Sequence, residues 1–170
     1  MTYSQESAVQ QLKQFESHYN YDASYLFDLL KASPSGFEKF VGFMPLSQHR
    51  EAASAEAISI AHLIATQSAD CGPCLELVKK MAIESGLSDE IIQSTLSNGD
   101  VLPDELKLVR SFAIAVLKDQ ALDPDLHTAM IEQFGESAVA ELAITLATAT
   151  VYPVLKRGLG KAVGCNLELA

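Results

Sequence analysis

Glu56-Ala57-Ile58-Ser59-Ile60-Ala61-His62-Leu63-Ile64-Ala65-Thr66-Gln67-Ser68-Ala69-Asp70-Cys71-Gly72-Pro73-Cys74 is the stretch on which the fold turns. Ala57, Ile60, Ala61 and Ile64 recur at three- and four-residue intervals, which puts them on one face of a helix. This apolar helix spans about residues 50–68 and breaks at Ala69-Asp70. Pro73 lacks a backbone N–H and is tolerated only in the first turn of a helix. A second helix therefore starts at the cysteine pair and runs to Gly86, a residue type suited to the left-handed position past a helix end. The centre of the chain reads as a helical hairpin with two thiols at the start of its second arm.

Working outward, the same periodicity continues. Val9, Leu12, Phe15 and Tyr19 share a face over about residues 5–19. A second segment, about 23–32, stops before Pro34, and Phe37, Phe40, Val41 and Met44 belong to a short piece ending at Pro45. Ser88 caps a helix whose first turn carries Asp89 and Glu90, where the helix dipole favours negative charge. Its partner starts near Pro103 and turns Leu106, Val109, Phe112, Ala113 and Val116 inward. Two more helices follow over about 124–134 and 136–158, and Pro153 kinks the last. No strand pair with hairpin chemistry occurs. The expectation is one all-α domain over residues 1–170, a bundle of roughly seven to nine helices at the usual ~8–20 residues each.

Composition narrows the function classes. The 170 residues carry a formal charge of −10 with a pI near 4.7, and 48% are hydrophobic but only 7% aromatic, with no tryptophan. Nucleic-acid binding needs clustered Lys and Arg, so none is expected. The acidic surface suits solubility. The segment from Met1 to Glu6 has neither a basic nor an apolar region of a signal peptide. Ala138 to Leu155 is the longest apolar stretch, but Glu141, several threonines and Pro153 make it a core helix rather than a membrane span. A cytoplasmic protein with no membrane partner is expected.

The chain has three cysteines, Cys71, Cys74 and Cys165, too few for a disulfide-stapled scaffold. A CxxC pair in such a chain is a redox centre, half of a metal site, or two small apolar side chains. Free N–H groups and the dipole at a helix start favour thiolate over thiol. Asp70 opposes that charge at Cys71, yet it can also cap the helix or accept a thiol proton. Structural zinc takes four ligands; His62, His127 and Cys165 exist, but no second pair has zinc-type spacing, and neither metal nor cofactor is expected. Cys165 is either a resolving thiol or a free one near the chain end. Tyr19, Tyr21, Tyr25 and Phe27 suit core or oligomer packing, or a pocket. Tyr152, Lys156 and Arg157 are placed at an interface, at a pocket mouth, or by the helix dipole alone.

The run Glu56 to Ala65, then Asp70-Cys71-Gly72-Pro73-Cys74, then Ala82-Ile83-Glu84-Ser85-Gly86-Leu87-Ser88-Asp89-Glu90-Ile91, resembles the alkylhydroperoxidase D-like, or carboxymuconolactone decarboxylase, superfamily. The close match covers about residues 50–98. The resemblance implies a helical homo-oligomer and thiol-dependent reduction of a peroxide or a partner protein's disulfide, with an external thiol reductant. Carried over, Cys71 and Cys74 are the redox pair. The family's upstream glutamate falls at Ser59, and Glu56 takes that role only with about three residues inserted before Asp70. The family's histidines fall at Val78 and Pro73. His62, nine residues before Cys71, is the histidine available to face the pair across the hairpin. Catalytic candidates are thus Cys71, Cys74, Glu56 and His62. The alternative is a non-catalytic oligomeric binding or assembly protein that keeps an oxidisable pair. Lactone decarboxylation does not carry over, because a dithiol does not stabilise a carbanion.

Overall fold

The computed structural model of the chain describes residues 5–118 and 121–161. Among these no strand occurs, and the helices are α1 (Gln5–Tyr19), α2 (Ser24–Ala32), α3 (Pro34–Ser47), α4 (Ala55–Ser68), α5 (Gly72–Glu84), α6 (Asp89–Leu96), α7 (Asp104–Leu117), α8 (Pro124–Phe134), α9 (Glu136–Ala149) and α10 (Val151–Gly158). The last two adjoin at Thr150 and form one interrupted helix, so the described residues make nine helices in all. The all-α bundle expected from periodicity is the fold.

The hairpin α4–α5 is its axis. Ser54 caps α4 by accepting the Ala57 N–H at 3.2 Å. Ala57 to Ala61 and Leu63 to Thr66 are all buried, so α4 is covered all round rather than on one face. A helix apolar on every side belongs inside, and α5, α6, α7 and α9 sheathe it. The segment leading into α4 is tied to α9 by Glu141, 4% exposed. Its carboxylate accepts the N–H groups of Glu51, Ala52 and Ala53 at 2.8, 2.9 and 2.8 Å. Those bonds, the Ala53 N–H foremost, hold its pKa below the usual carboxylate value. The end of α5 follows the Schellman pattern: Leu87 N–H reaches Ala82 O at 3.0 Å and Gly86 N–H reaches Ile83 O at 2.9 Å, with Gly86 at φ +96°.

Two apolar clusters result. One gathers α4 to α9 around Leu63, Val109, Phe112 and Leu142. The other joins α1, α2 and α3 through Ala8, Tyr21, Tyr25 and Phe37, with Leu77 of α5 and Leu155 of α10 packed against it. His18 and Tyr19 of α1 both bond Glu84 at the end of α5, at 2.8 and 2.7 Å, and Tyr19's hydroxyl is pushed up to about 12 by burial and that carboxylate.

Two local expectations are corrected. The piece expected to end at Pro45 continues to Ser47, because a proline two residues from the end disturbs only the last turn of the helix. Val116 is not turned inward but is 38% exposed, one residue before α7 ends. Pro153 interrupts the last helix as expected, and the break falls at Thr150, since the pyrrolidine ring displaces the carbonyl four residues earlier, that of Ala149. Glu136–Gly158 is long and apolar enough to cross a membrane by length and composition, and half of its most apolar 18-residue window is buried in the bundle. Cys165 lies outside the described residues.

Candidate functional site

The turn between α4 and α5 positions the cysteines. Asp70 takes a left-handed conformation (φ +51°), which Asp tolerates better than most residues. This reverses the chain so that Cys71 becomes the N-cap of α5, with Gly72, Pro73 and Cys74 in its first turn. Leu75 N–H donates to Cys71 O at 2.9 Å, closing that turn. Cys71 and Cys74 are joined by a disulfide across a Cα–Cα distance of 5.2 Å. Both are buried, at 2% and 5% exposure.

Cys74 faces a cavity of about 330 Å³ between the two apolar clusters. Tyr21, Tyr25 and Phe37 wall it on one side and Val78 and Ala149 on the other, with His62 and Thr66 supplied by α4. The Tyr21 hydroxyl lies 3.8 Å from Cys74 Sγ, a hydrogen-bonding contact for sulfur. Tyr25 bonds Tyr21, and burial, with Tyr21's proximity second, raises its hydroxyl pKa far above the ordinary value. Lys156 is 4% exposed, and its Nζ stands 4.9 Å from the Tyr21 ring centroid and 5.7 Å from that of Tyr25. A desolvated cation over aromatic faces is held by their quadrupoles. Tyr152 closes the cavity beside Ser47, whose Oγ is 2.9 Å from its hydroxyl.

His62 lines the same cavity as Cys74. Burial, and then the Arg50 charge, hold its pKa down at about 4, so its imidazole is neutral at pH 7. An imidazole that weak a base takes a proton from a thiol of pKa ~8.5 only rarely. His62 also borders a second cavity of about 350 Å³, shared with Ser59, Val78 and Met81. The positions where the resemblance expects a glutamate and a histidine, Ser59 and Val78, therefore open on one space, but carry no titratable group there. Glu56 sits exposed in the first turn of α4 and borders neither cavity. Pro73 is exposed on the helix start.

Sequence reasoning passed over Thr145, and placed Tyr21 and Lys156 only as packing, interface or pocket-mouth residues. The signal for Thr145 was a hydroxyl inside an apolar run, and for Lys156 a cation four residues after Tyr152 on the same helix face. Among the described residues no group of three or more His, Cys, Asp or Glu side chains is arranged to hold a metal ion. Fold and site together define a class: an all-α protein with a CxxC disulfide at a helix N-terminus, opening on an apolar cavity. No protein-family model, curated protein or solved structure matches the chain.

Proposed function

We propose that the chain is a thiol-dependent oxidoreductase of the alkylhydroperoxidase D-like type, acting on a small oxidant rather than on a partner protein's disulfide. The carrying observation is the Cys71–Cys74 disulfide with Cys74 on the cavity wall. At 2% and 5% exposure, neither sulfur offers a macromolecular disulfide a surface to attack, whereas the cavity admits a small molecule to Cys74.

In the reduced protein, the Cys74 thiolate attacks one peroxide oxygen and the O–O bond breaks. The alkoxide or hydroxide that leaves takes up a proton, and Cys74 becomes a sulfenic acid. Cys71, having given up its proton, displaces that hydroxyl as water and closes the disulfide. Two electrons pass from the thiols to the peroxide, and an external thiol restores them by exchange. With no titratable group at Ser59 or Val78, the hydrogen bond from Tyr21 to Cys74 Sγ supplies part of what a base there would: it favours the thiolate over the thiol. A reducing, cytoplasmic setting suits this cycle.

The deciding experiment follows the reduced protein with hydrogen peroxide and tert-butyl hydroperoxide, alongside Cys71→Ser, Cys74→Ser and Tyr21→Phe. Peroxide consumption matched by disulfide formation is expected in the wild type. Both serine variants lose turnover with helicity and subunit number unchanged, and Tyr21→Phe raises the Cys74 thiol pKa by about one unit. The burial of both thiols and the apolar Val78 favour a second reading, a non-catalytic binding or assembly protein. Thiols unreactive in the folded protein, or serine variants that behave as wild type, would establish it instead.

A further inference from the structure

Among the described residues, one buried hydroxyl in the wall of the cavity beside the disulfide has no hydrogen-bond partner. Thr145 is 1% exposed and borders the cavity, and its Oγ1 has no hydrogen-bond partner among the described residues. Most threonines inside helices bond a carbonyl of the preceding turn, as Thr148 does with Ile144 O at 2.7 Å. A buried hydroxyl without a partner is a standing cost, and such groups need an explanation. We infer that the cavity is a binding site for a small, neutral, largely apolar molecule carrying one hydroxyl or carbonyl group, which Thr145 Oγ1 anchors.

Size sets the body of that ligand. At about 330 Å³ the cavity is roughly twice the ~150 Å³ of an apolar cavity that takes benzene, so an alkyl-substituted single ring or a medium-chain alcohol or ketone fits. Lining chemistry sets its polarity. Leu12, Phe37, Val78 and Met44 present hydrocarbon or thioether, and His62 is neutral. Charge sets its neutrality. Arg50 at the rim already interacts with Glu141, and both its amino groups bond carbonyls, of His49 and Ser47. Lys156 does not line the cavity and its charge is engaged by the Tyr21 and Tyr25 ring faces, so a carboxylate ligand would meet no free cation on the lining and would lose its hydration. Cys74 on the same wall places the occupant against the sulfur, but binding itself requires no thiol chemistry.

The test uses the oxidised, full-length protein, so that its outcome is independent of thiol turnover. Three matched probes share one body: 4-propylphenol, propylbenzene and 4-propylbenzoate. Titration is followed by NMR at the methyls of Thr145, Met44 and Met81. Saturable binding is expected, strongest for the phenol and weakest for the benzoate. Thr145→Val keeps the shape and removes the hydroxyl. It lowers phenol affinity about fivefold, leaves propylbenzene within about twofold, and raises the thermal midpoint of the free protein. Thr145→Ser restores the phenol preference. No saturable binding of any probe, an equal loss for phenol and propylbenzene, or a preference for the benzoate would overturn the assignment. So would a lowered midpoint in Thr145→Val, which would mean that the hydroxyl is already satisfied.

Discussion

His62 shows how burial changes the chemistry expected of a residue from its place in the sequence. Its position on α4, nine residues before Cys71, brings it to the wall that Cys74 shares. The apolar surroundings that put it there also strip its proton. Burial, followed by the Arg50 charge, lowers its pKa from 6.5 to about 4. The unfolded chain therefore binds the proton more readily than the folded one, and stability rises with pH across that window. The contribution is complete above about pH 6.5 and is lost as pH falls towards 4, a difference of up to about 3 kcal/mol. Urea unfolding at a series of pH values should show this limb in the wild type, and His62→Phe should lack it. Identical acid limbs in the two proteins would mean that the imidazole is hydrated in the fold. Glu141 titrates in a lower window, because its bonds to three backbone N–H groups lower its pKa from 4.5. Its effect adds below that value in both proteins.

At the scale of elements, the α5 terminus makes the sharpest prediction. Gly86 at φ +96° lets the Leu87 N–H return to Ala82 O, and Leu87, 6% exposed, then joins the main cluster. An added Cβ at Gly86 meets nothing within 4 Å, so backbone conformation and not crowding governs a substitution. Gly86→Ala should cost about 1 kcal/mol, a fall of roughly 2–4 °C in Tm, with the denaturant slope unchanged. A neutral result would mean that the turn relaxes. This terminus was legible because glycine, a capping serine and an acidic first turn each carry a local mechanism. So was the start of α5, since Pro73 confines it to within one turn. What could not be read is tertiary. The periodicity of α4 indicated one buried face, and only the neighbours on every side explain why Ile58 and Leu63 are buried too. Tyr21 lies 53 residues from Cys74, and no spacing rule joins them. Pro45 and Pro153 were both legible as disturbances. Where the disturbance falls depends on which carbonyl each ring meets.

Across the whole molecule, the two apolar clusters have different relations to the thiols. The α4–α9 cluster carries the cysteine-bearing hairpin, and the cluster of α1, α2, α3 and α10 closes over it. The disulfide lies at neither surface, so traffic to Cys74 passes either through the cavity or through an opening of the N-terminal layer. These routes differ in the size of reagent they admit. With the disulfide reduced, N-ethylmaleimide should label Cys74 through the cavity. A maleimide carrying a polyethylene glycol chain must wait for local unfolding of α1–α3, a sub-global opening with its own free energy. Once each reagent is normalised to its rate with glutathione, the bulky one should be slower by at least about tenfold, which corresponds to an opening cost of ~1.4 kcal/mol or more. Sub-denaturing urea should narrow the gap, because it favours the opened layer. Cys71, at 2% exposure and on the cap rather than on the cavity wall, should be labelled after Cys74 by both reagents. Equal normalised rates would mean that the layer opens freely. In that case a partner protein's disulfide reaches the thiols as easily as a small molecule, and the preference for a small oxidant falls.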